Sequence, residues 1–160
     1  MEKKEFVSKQ ELRSRYLNYR NQLSMSERKE KSARIWELLE AEAVFQKADI
    51  LLVYMDYRSE VMTCGRVEEL LQQHKKRIFA PKVEGMDIRF YEVKKMEDFM
   101  DGYQGIMEPS GDESRLFTEQ MAKTQNCLLL VPGAVFDRQR GRMGYGKGFY
   151  DRYLAAFPAL

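Results

Sequence analysis

The chain has 160 residues and a mass of 18.9 kDa, enough for one compact domain with a real core and too short for two. A hydrophobic content of 44%, with 12% aromatic residues, argues against a disordered chain and against a disulfide-stapled miniature. The formal net charge of +2 says nothing about partners, although its distribution does. Met1 to Glu5 hold neither an apolar h-region nor a small-residue cleavage site, and read as the approach to a mixed-charge helix. Ser8-Lys9-Gln10-Glu11 is a capping box, which predicts a helix with Leu12, Tyr16, Tyr19 and Leu23 at helical spacing. Ser24-Met25-Ser26-Glu27 repeats the signal and predicts a second helix to about Ala41, carrying Ile35, Trp36, Leu38 and Leu39 towards the core. Ile50 to Met55 reads as a buried strand, and Thr63 to His74 as a helix with Val67, Leu70 and Leu71 on one face. Arg77 to Pro81 is a second strand. Asp87 to Val93 is a third, and its short connection predicts an antiparallel neighbour. Gly102 to Gly111 reads as a loop, and Cys127 to Val131 as another buried strand, stopped by Pro132-Gly133. A glycine-rich stretch follows, then an amphipathic helix from about Phe149 to Phe157. Apolar strands separated by helices predict a single α/β domain, layered, with a mostly parallel sheet.

Residues 1–35 hold ten Lys/Arg against five Asp/Glu, and residues 138–153 hold five against Asp151 alone. Two basic regions at opposite ends of the chain therefore flank an acidic middle. If they meet in space they form an anion site; if not, they are a solvated helix and a solvated loop. Cys64 and Cys127 give no framework spacing and no metal pattern, so free thiols and a cytoplasmic protein are expected. Apolar runs such as Cys127 to Val131 are far too short to cross a bilayer. His74 is the only histidine, placed at the end of a polar helix and expected at the surface. A Ser-His-Asp triad, a Cys-His dyad and a zinc site are thereby disfavoured. Chemistry must rest on phosphate electrostatics, Lys/Arg and carboxylates.

The sharpest motif is Gly141-Arg142-Met143-Gly144-Tyr145-Gly146-Lys147-Gly148-Phe149-Tyr150-Asp151. Glycines let backbone N–H groups turn towards an anion, and the helix that follows adds its N-terminal donors and dipole. Arg142 and Lys147 supply full charges. The pattern is not a P-loop, because Gly148 stands where the magnesium-binding Ser or Thr is required. Nor is it a dinucleotide fingerprint, since Phe149 replaces the third glycine. Asp151, on the first turn of the helix, is either a magnesium ligand or a helix-start acid favoured by the dipole.

These residues resemble the 5-formyltetrahydrofolate cyclo-ligases (5,10-methenyltetrahydrofolate synthetases). Lys9-Gln10-Glu11-Leu12-Arg13 is similar to the family's amino-terminal element, and Tyr54 to Val61 to its segment after the first strand. Pro81-Lys82-Val83, Glu108-Pro109, and Val131-Pro132-Gly133 with Phe136-Asp137 fall in family order, and Gly141 to Asp151 is the most specific signature. The resemblance implies an α/β/α fold like that of sugar-phosphate isomerases and CoA-transferases. It implies ATP- and Mg²⁺-dependent closure of 5-formyltetrahydrofolate to 5,10-methenyltetrahydrofolate, with release of ADP and phosphate. On that basis ATP would be held by Lys9, Gln10, Glu11, Leu12 and Arg13 together with Arg142, Met143, Gly144, Tyr145, Gly146, Lys147, Gly148, Phe149 and Tyr150. The folate would touch Met55 and Glu60, helped by Tyr145, Gly146, Lys147, Gly148 and Phe149. Lys147 and Arg142 would face the transferring phosphoryl group, and Asp151 the magnesium ion. The family continues past the last helix with a further strand and a second metal-binding carboxylate, whereas this sequence stops at Leu160.

The expectation is accordingly a monomeric, cytoplasmic enzyme acting on a small molecule, with no nucleic acid and no membrane. Two rival readings differ in class. A nucleotide- or folate-binding protein without turnover would bind ATP and release no ADP. An RNA-binding module would use the basic first helix, although its basic stretches lack an aromatic-rich recognition motif.

Overall fold

Both capping boxes form. In the computed structural model, which describes residues 7–160, Ser8 Oγ accepts from the Glu11 N–H at 3.2 Å and the Glu11 carboxylate accepts from the Ser8 N–H at 2.7 Å. They start α1 (Lys9–Asn21), and Ser24 with Glu27 starts α2 (Met25–Ala41) in the same way. The reading of Met1 to Glu5 lies outside the described residues.

No described side chain of α1 is buried, and Tyr16 and Tyr19 stay exposed. On α2 the structure corrects the sequence reading: Ile35 and Leu38 face solvent, while Trp36 is buried and Leu39 is packed beside the core. Adjacent helix positions point about 100° apart, so Ile35 and Trp36 cannot both face the sheet. The indole wins, because its Nε1–H also reaches the Met62 carbonyl at 2.9 Å.

The chain continues through α3 (Ala43–Lys47), β1 (Ile50–Leu52), α4 (Cys64–Gln73), β2 (Arg77–Glu84) and β3 (Asp87–Val93). It then forms β4 (Phe99–Asp101), β5 (Met107–Pro109), α5 (Glu119–Thr124), β6 (Cys127–Leu129), β7 (Val135–Phe136), β8 (Arg142–Met143) and α6 (Phe149–Ala156). The main sheet has the order β3-β2-β1-β6. β1 is parallel to both neighbours, with Ile50 opposite Arg77 on one side and Cys127 on the other, and only β3 runs antiparallel. The 102–111 segment, expected as a loop, contains β5, which pairs with β4 in a separate ribbon. Strands of three residues carry too little alternation to show themselves in sequence.

Side chains along β1 alternate between two hydrophobic clusters. Leu51 and Val53 join Trp36 of α2, Phe45 of α3 and Val67 of α4 on one face. Ile50 and Leu52 join Phe79, Phe90, Ala122 of α5 and Tyr153 of α6 on the other. This period-two division makes three layers, helices over both faces of the sheet. Among the described residues no helix is long and apolar enough to cross a membrane.

Candidate active site

β1 and β6 are neighbours, but the chain leaves them towards opposite faces: β1 leads to α4 under one cluster and β6 leads to α6 under the other. A crevice must open where two adjacent parallel strands diverge in this way, beyond their C-terminal ends. The segments that follow them, 53–63 and 130–148, line a cleft of about 500 Å³, together with one face of α1. The two basic ends of the sequence do meet here.

Residues 144–148 form one half of the cleft. Gly146 and Gly148 have φ of 104° and 70°, a region closed to most side chains, and a Cβ at Gly148 would also press on Arg152 at 2.9 Å. These turns hold Lys147 out from the loop at the start of α6, where it is exposed and makes no ion pair among the described residues. Arg13 reaches across from α1, its Nε donating to the Gly144 carbonyl at 2.8 Å. Arg142 donates to the Pro132 carbonyl at 2.9 Å and pairs with Asp151, whose own side chain is 70% exposed. The described residues contain no group of three His, Cys, Asp or Glu side chains that would hold a metal unaided. One exposed carboxylate next to a glycine-rich cationic loop nevertheless suits Mg²⁺, which takes one or two carboxylates and fills its remaining positions with phosphate oxygens and water.

The other half is walled by Tyr54, Met55 and Glu60. Glu60 is buried, and its carboxylate accepts the Tyr57 N–H at 2.9 Å. Burial pushes its pKa above the ordinary carboxylate value, against the pull of the Tyr145 hydroxyl, the Tyr57 N–H and the Arg20 guanidinium. Tyr145 is raised in turn by burial and by the facing Glu60. Asp56 holds the base of the segment: its Oδ1 accepts the N–H groups of Thr63 at 2.7 Å and Cys64 at 2.8 Å, taking the place of a local cap for α4. Burial works against ionisation of Asp56, but the hydrogen bonds from Cys64 and Thr63 prevail and its pKa is lowered. The same surroundings push the Cys64 thiol up to about 12, so it is no nucleophile.

The structure thus gathers Arg13, Met55, Glu60, Arg142, Gly144 to Phe149, Tyr150 and Asp151 around one cleft. Lys9, Gln10, Glu11, Leu12 and Met143, also expected to hold ATP, do not line it, and Glu11 is occupied in the cap of α1. Of the lining residues that the sequence reading of function missed, two charged ones matter most here, Arg20 and Glu108. Arg20 lies seven positions after Arg13 and so on the same helical face, a spacing that was there to be read. Glu108 is buried on β5, accepts the Val83 N–H at 3.1 Å, and leaves room only for glycine at position 102.

A family model described as the 5-formyltetrahydrofolate cyclo-ligase family matches residues 5–159. A probable 5-formyltetrahydrofolate cyclo-ligase of Schizosaccharomyces pombe is 34% identical over 110 residues, covering 67% of this chain and 52% of that protein. The mitochondrial 5-formyltetrahydrofolate cyclo-ligase of Arabidopsis thaliana is 28% identical over 124 residues, covering 71% and 45%. The chain therefore spans about half the length of these two relatives. The NMR structure of Aquifex aeolicus 5,10-methenyltetrahydrofolate synthetase superposes with a TM-score of 0.76 at 32% identity, over 93% of this chain and 73% of that one. The Mycoplasma pneumoniae 5,10-methenyltetrahydrofolate synthetase, at 23% identity and a TM-score of 0.68, covers 93% of this chain and 78% of its own and shares the fold.

Proposed function

Because the chain belongs to the 5-formyltetrahydrofolate cyclo-ligase family, we propose that its cleft closes 5-formyltetrahydrofolate to 5,10-methenyltetrahydrofolate while ATP is converted to ADP and phosphate. One observation carries the reading: a cationic glycine loop and a buried carboxylate share a single cleft. The formyl group of the substrate is an amide, a poor electrophile with a poor leaving group. Transfer of the γ-phosphoryl group to the formyl oxygen gives an imidate-like phosphate. N10 then attacks the formyl carbon and loses its proton, and the C–O bond breaks with departure of inorganic phosphate. Such a sequence needs positioning and charge neutralisation more than a protein nucleophile, and neither thiol nor histidine is present to supply one in this cleft.

Lys147 and Arg142 are the groups for the transferring phosphoryl oxygens, and the 144–148 backbone cradles the phosphates. Asp151 would hold Mg²⁺, which when bound neutralises phosphate charge. Arg142 pairs with Asp151, so the carboxylate that would hold the cation and a guanidinium for phosphate stand side by side. Glu60 accepts hydrogen bonds from the pterin or a nearby folate nitrogen, and Met55 packs beside it. The unpaired Cys64 and Cys127 suit the reducing cytoplasm, where a monomer would act on its small-molecule substrate.

Arg13→Ala is expected to weaken ATP binding by about 1.5–3 kcal/mol, the range for hydrogen bonds to charged groups, because the substitution removes both a cation and the tie to Gly144. Titration calorimetry with Mg-ATP measures this. Unchanged affinity would make α1 a scaffold only. The reaction itself is tested by mixing the protein with ATP, Mg²⁺ and 5-formyltetrahydrofolate and following ADP together with the methenyl chromophore. Ligand binding with neither product supports the non-catalytic alternative.

A further inference from the structure

One side chain fastens together three segments that are far apart in sequence. Arg20 of α1 donates from Nε to Ser59 Oγ at 3.1 Å, and from Nη1 to the Gly133 carbonyl at 3.1 Å and the Tyr145 hydroxyl at 2.9 Å. Its guanidinium also lies over the Tyr145 ring, 5.6 Å from the centroid. The Tyr145 hydroxyl donates to the Gly133 carbonyl at 3.3 Å, and the carboxylate of Glu60 faces it. Ser59 is the immediate neighbour of Glu60, and Tyr145 stands next to the glycines that present Lys147. Unlike Arg13, Arg20 thus has most of its donors committed to the protein, and to both halves of the cleft at once.

We propose that Arg20 is a positioning residue that makes the glycine-rich loop and the Glu60 segment one mechanical unit, so that occupation of either half of the cleft favours binding in the other. The inference rests on the reading that the cleft takes both ATP and the folate. Its physical basis is shared ordering. Without the clamp, each ligand must order its own loop; with it, the first ligand orders both, and the second binds to a cleft already set. A planar fork with donors in fixed directions can bridge three acceptors, whereas a lysine ammonium at the same place is a single flexible point charge.

The clamp also leaves a mark on the titration of Glu60. The groups facing that carboxylate are Arg20 from α1, Tyr54 and Asp56 from its own stretch of chain, Tyr145 from the loop and Tyr150 from α6. Arg20 is the cation among them, and it opposes the upward push of burial. Its removal therefore raises Glu60 further and moves the acid limb of the kcat/KM profile for folate to higher pH. A residue that merely supports the fold would alter stability and leave that limb in place.

The experiment titrates the non-hydrolysable β,γ-imido analogue of Mg-ATP into wild type, Arg20→Gln and Arg20→Lys, with and without saturating 5-formyltetrahydrofolate, and records the pH profile of turnover for each. In wild type the folate is expected to tighten nucleotide binding by ~5-fold or more, the lower end of ordinary coupling. Arg20→Gln is expected to abolish that synergy and shift the acid limb upwards. Arg20→Lys is expected to keep the limb near its wild-type position while losing most of the synergy, and it carries the test if the glutamine variant does not fold. Wild type that turns over, with synergy intact in the variants or absent from the start, overturns the clamp alone. Wild type that binds neither ligand overturns both the clamp and the functional reading beneath it.

Discussion

Lys147→Ala is expected to cut ADP formation by ~10²-fold or more while leaving the fold intact. The magnitude is that of losing one preorganised charged group aimed at developing charge. Lys147 has the two attributes such a group needs. It is fixed at its base between two glycines with positive φ, one of which begins α6, and its ammonium is uncommitted to any carboxylate among the described residues. The structure around it relies only on its backbone, since its carbonyl accepts from Arg152 at 2.9 Å. Melting temperature should therefore stay close to that of wild type. A folded Lys147→Ala protein with near-normal ADP formation would remove this residue from the chemistry and leave Arg142 and the backbone amides to bear it.

Glu60→Gln is expected to lower kcat/KM for folate by ~10- to 10²-fold, as for loss of a hydrogen bond to a charged group, with nucleotide affinity little changed. The same substitution should stabilise the protein at neutral pH. The folded pKa of Glu60 lies above its ordinary value of 4.5, because burial disfavours the carboxylate. The stability this residue contributes is thus complete below the unfolded pKa and is lost as pH rises through the folded one. Glutamine has no such loss. Thermal melts should place Glu60→Gln at or above wild type at pH 7, with the gap closing below pH ~4. A lower melting temperature with unchanged folate kinetics would identify Glu60 as a structural acid at the approach to α4.

The parts of this molecule that were legible in the sequence are those whose causes are contiguous. The capping boxes at Ser8 and Ser24 involve residues three apart, and both formed. The β2–β3 hairpin followed from its short connection, and the glycine-rich loop from glycines crowded around a lysine. The site was harder to read because its assembly is not contiguous. Nothing near Arg20 in sequence announces Tyr145, and Glu108 becomes a wall of the cleft only once β5 packs beside β2. The ends of the first strand were blurred for a similar reason. Val53 to Met55 continue the apolar run of β1, but after the Val53 N–H reaches the Phe79 carbonyl the ladder stops and the chain turns to serve the cleft. Short elements such as α3, α5, β7 and β8 have too few residues to show a period, so only tertiary contacts define them.

The bond pattern of Asp56 has a consequence for the stretch that bears Glu60. By accepting from Thr63 and Cys64, one carboxylate staples the two ends of an eight-residue stretch, and Arg28 braces it from α2 at 3.4 Å. The result is a macrocycle closed by hydrogen bonds instead of a covalent bridge. A ring explores far fewer shapes than an open chain of the same length, so what a ligand has left to settle in this stretch is how the ring as a whole sits against the glycine-rich loop. The staple is also reversible. It is strongest while Asp56 is ionised, the form that these hydrogen bonds favour, so strong acid loosens the ring.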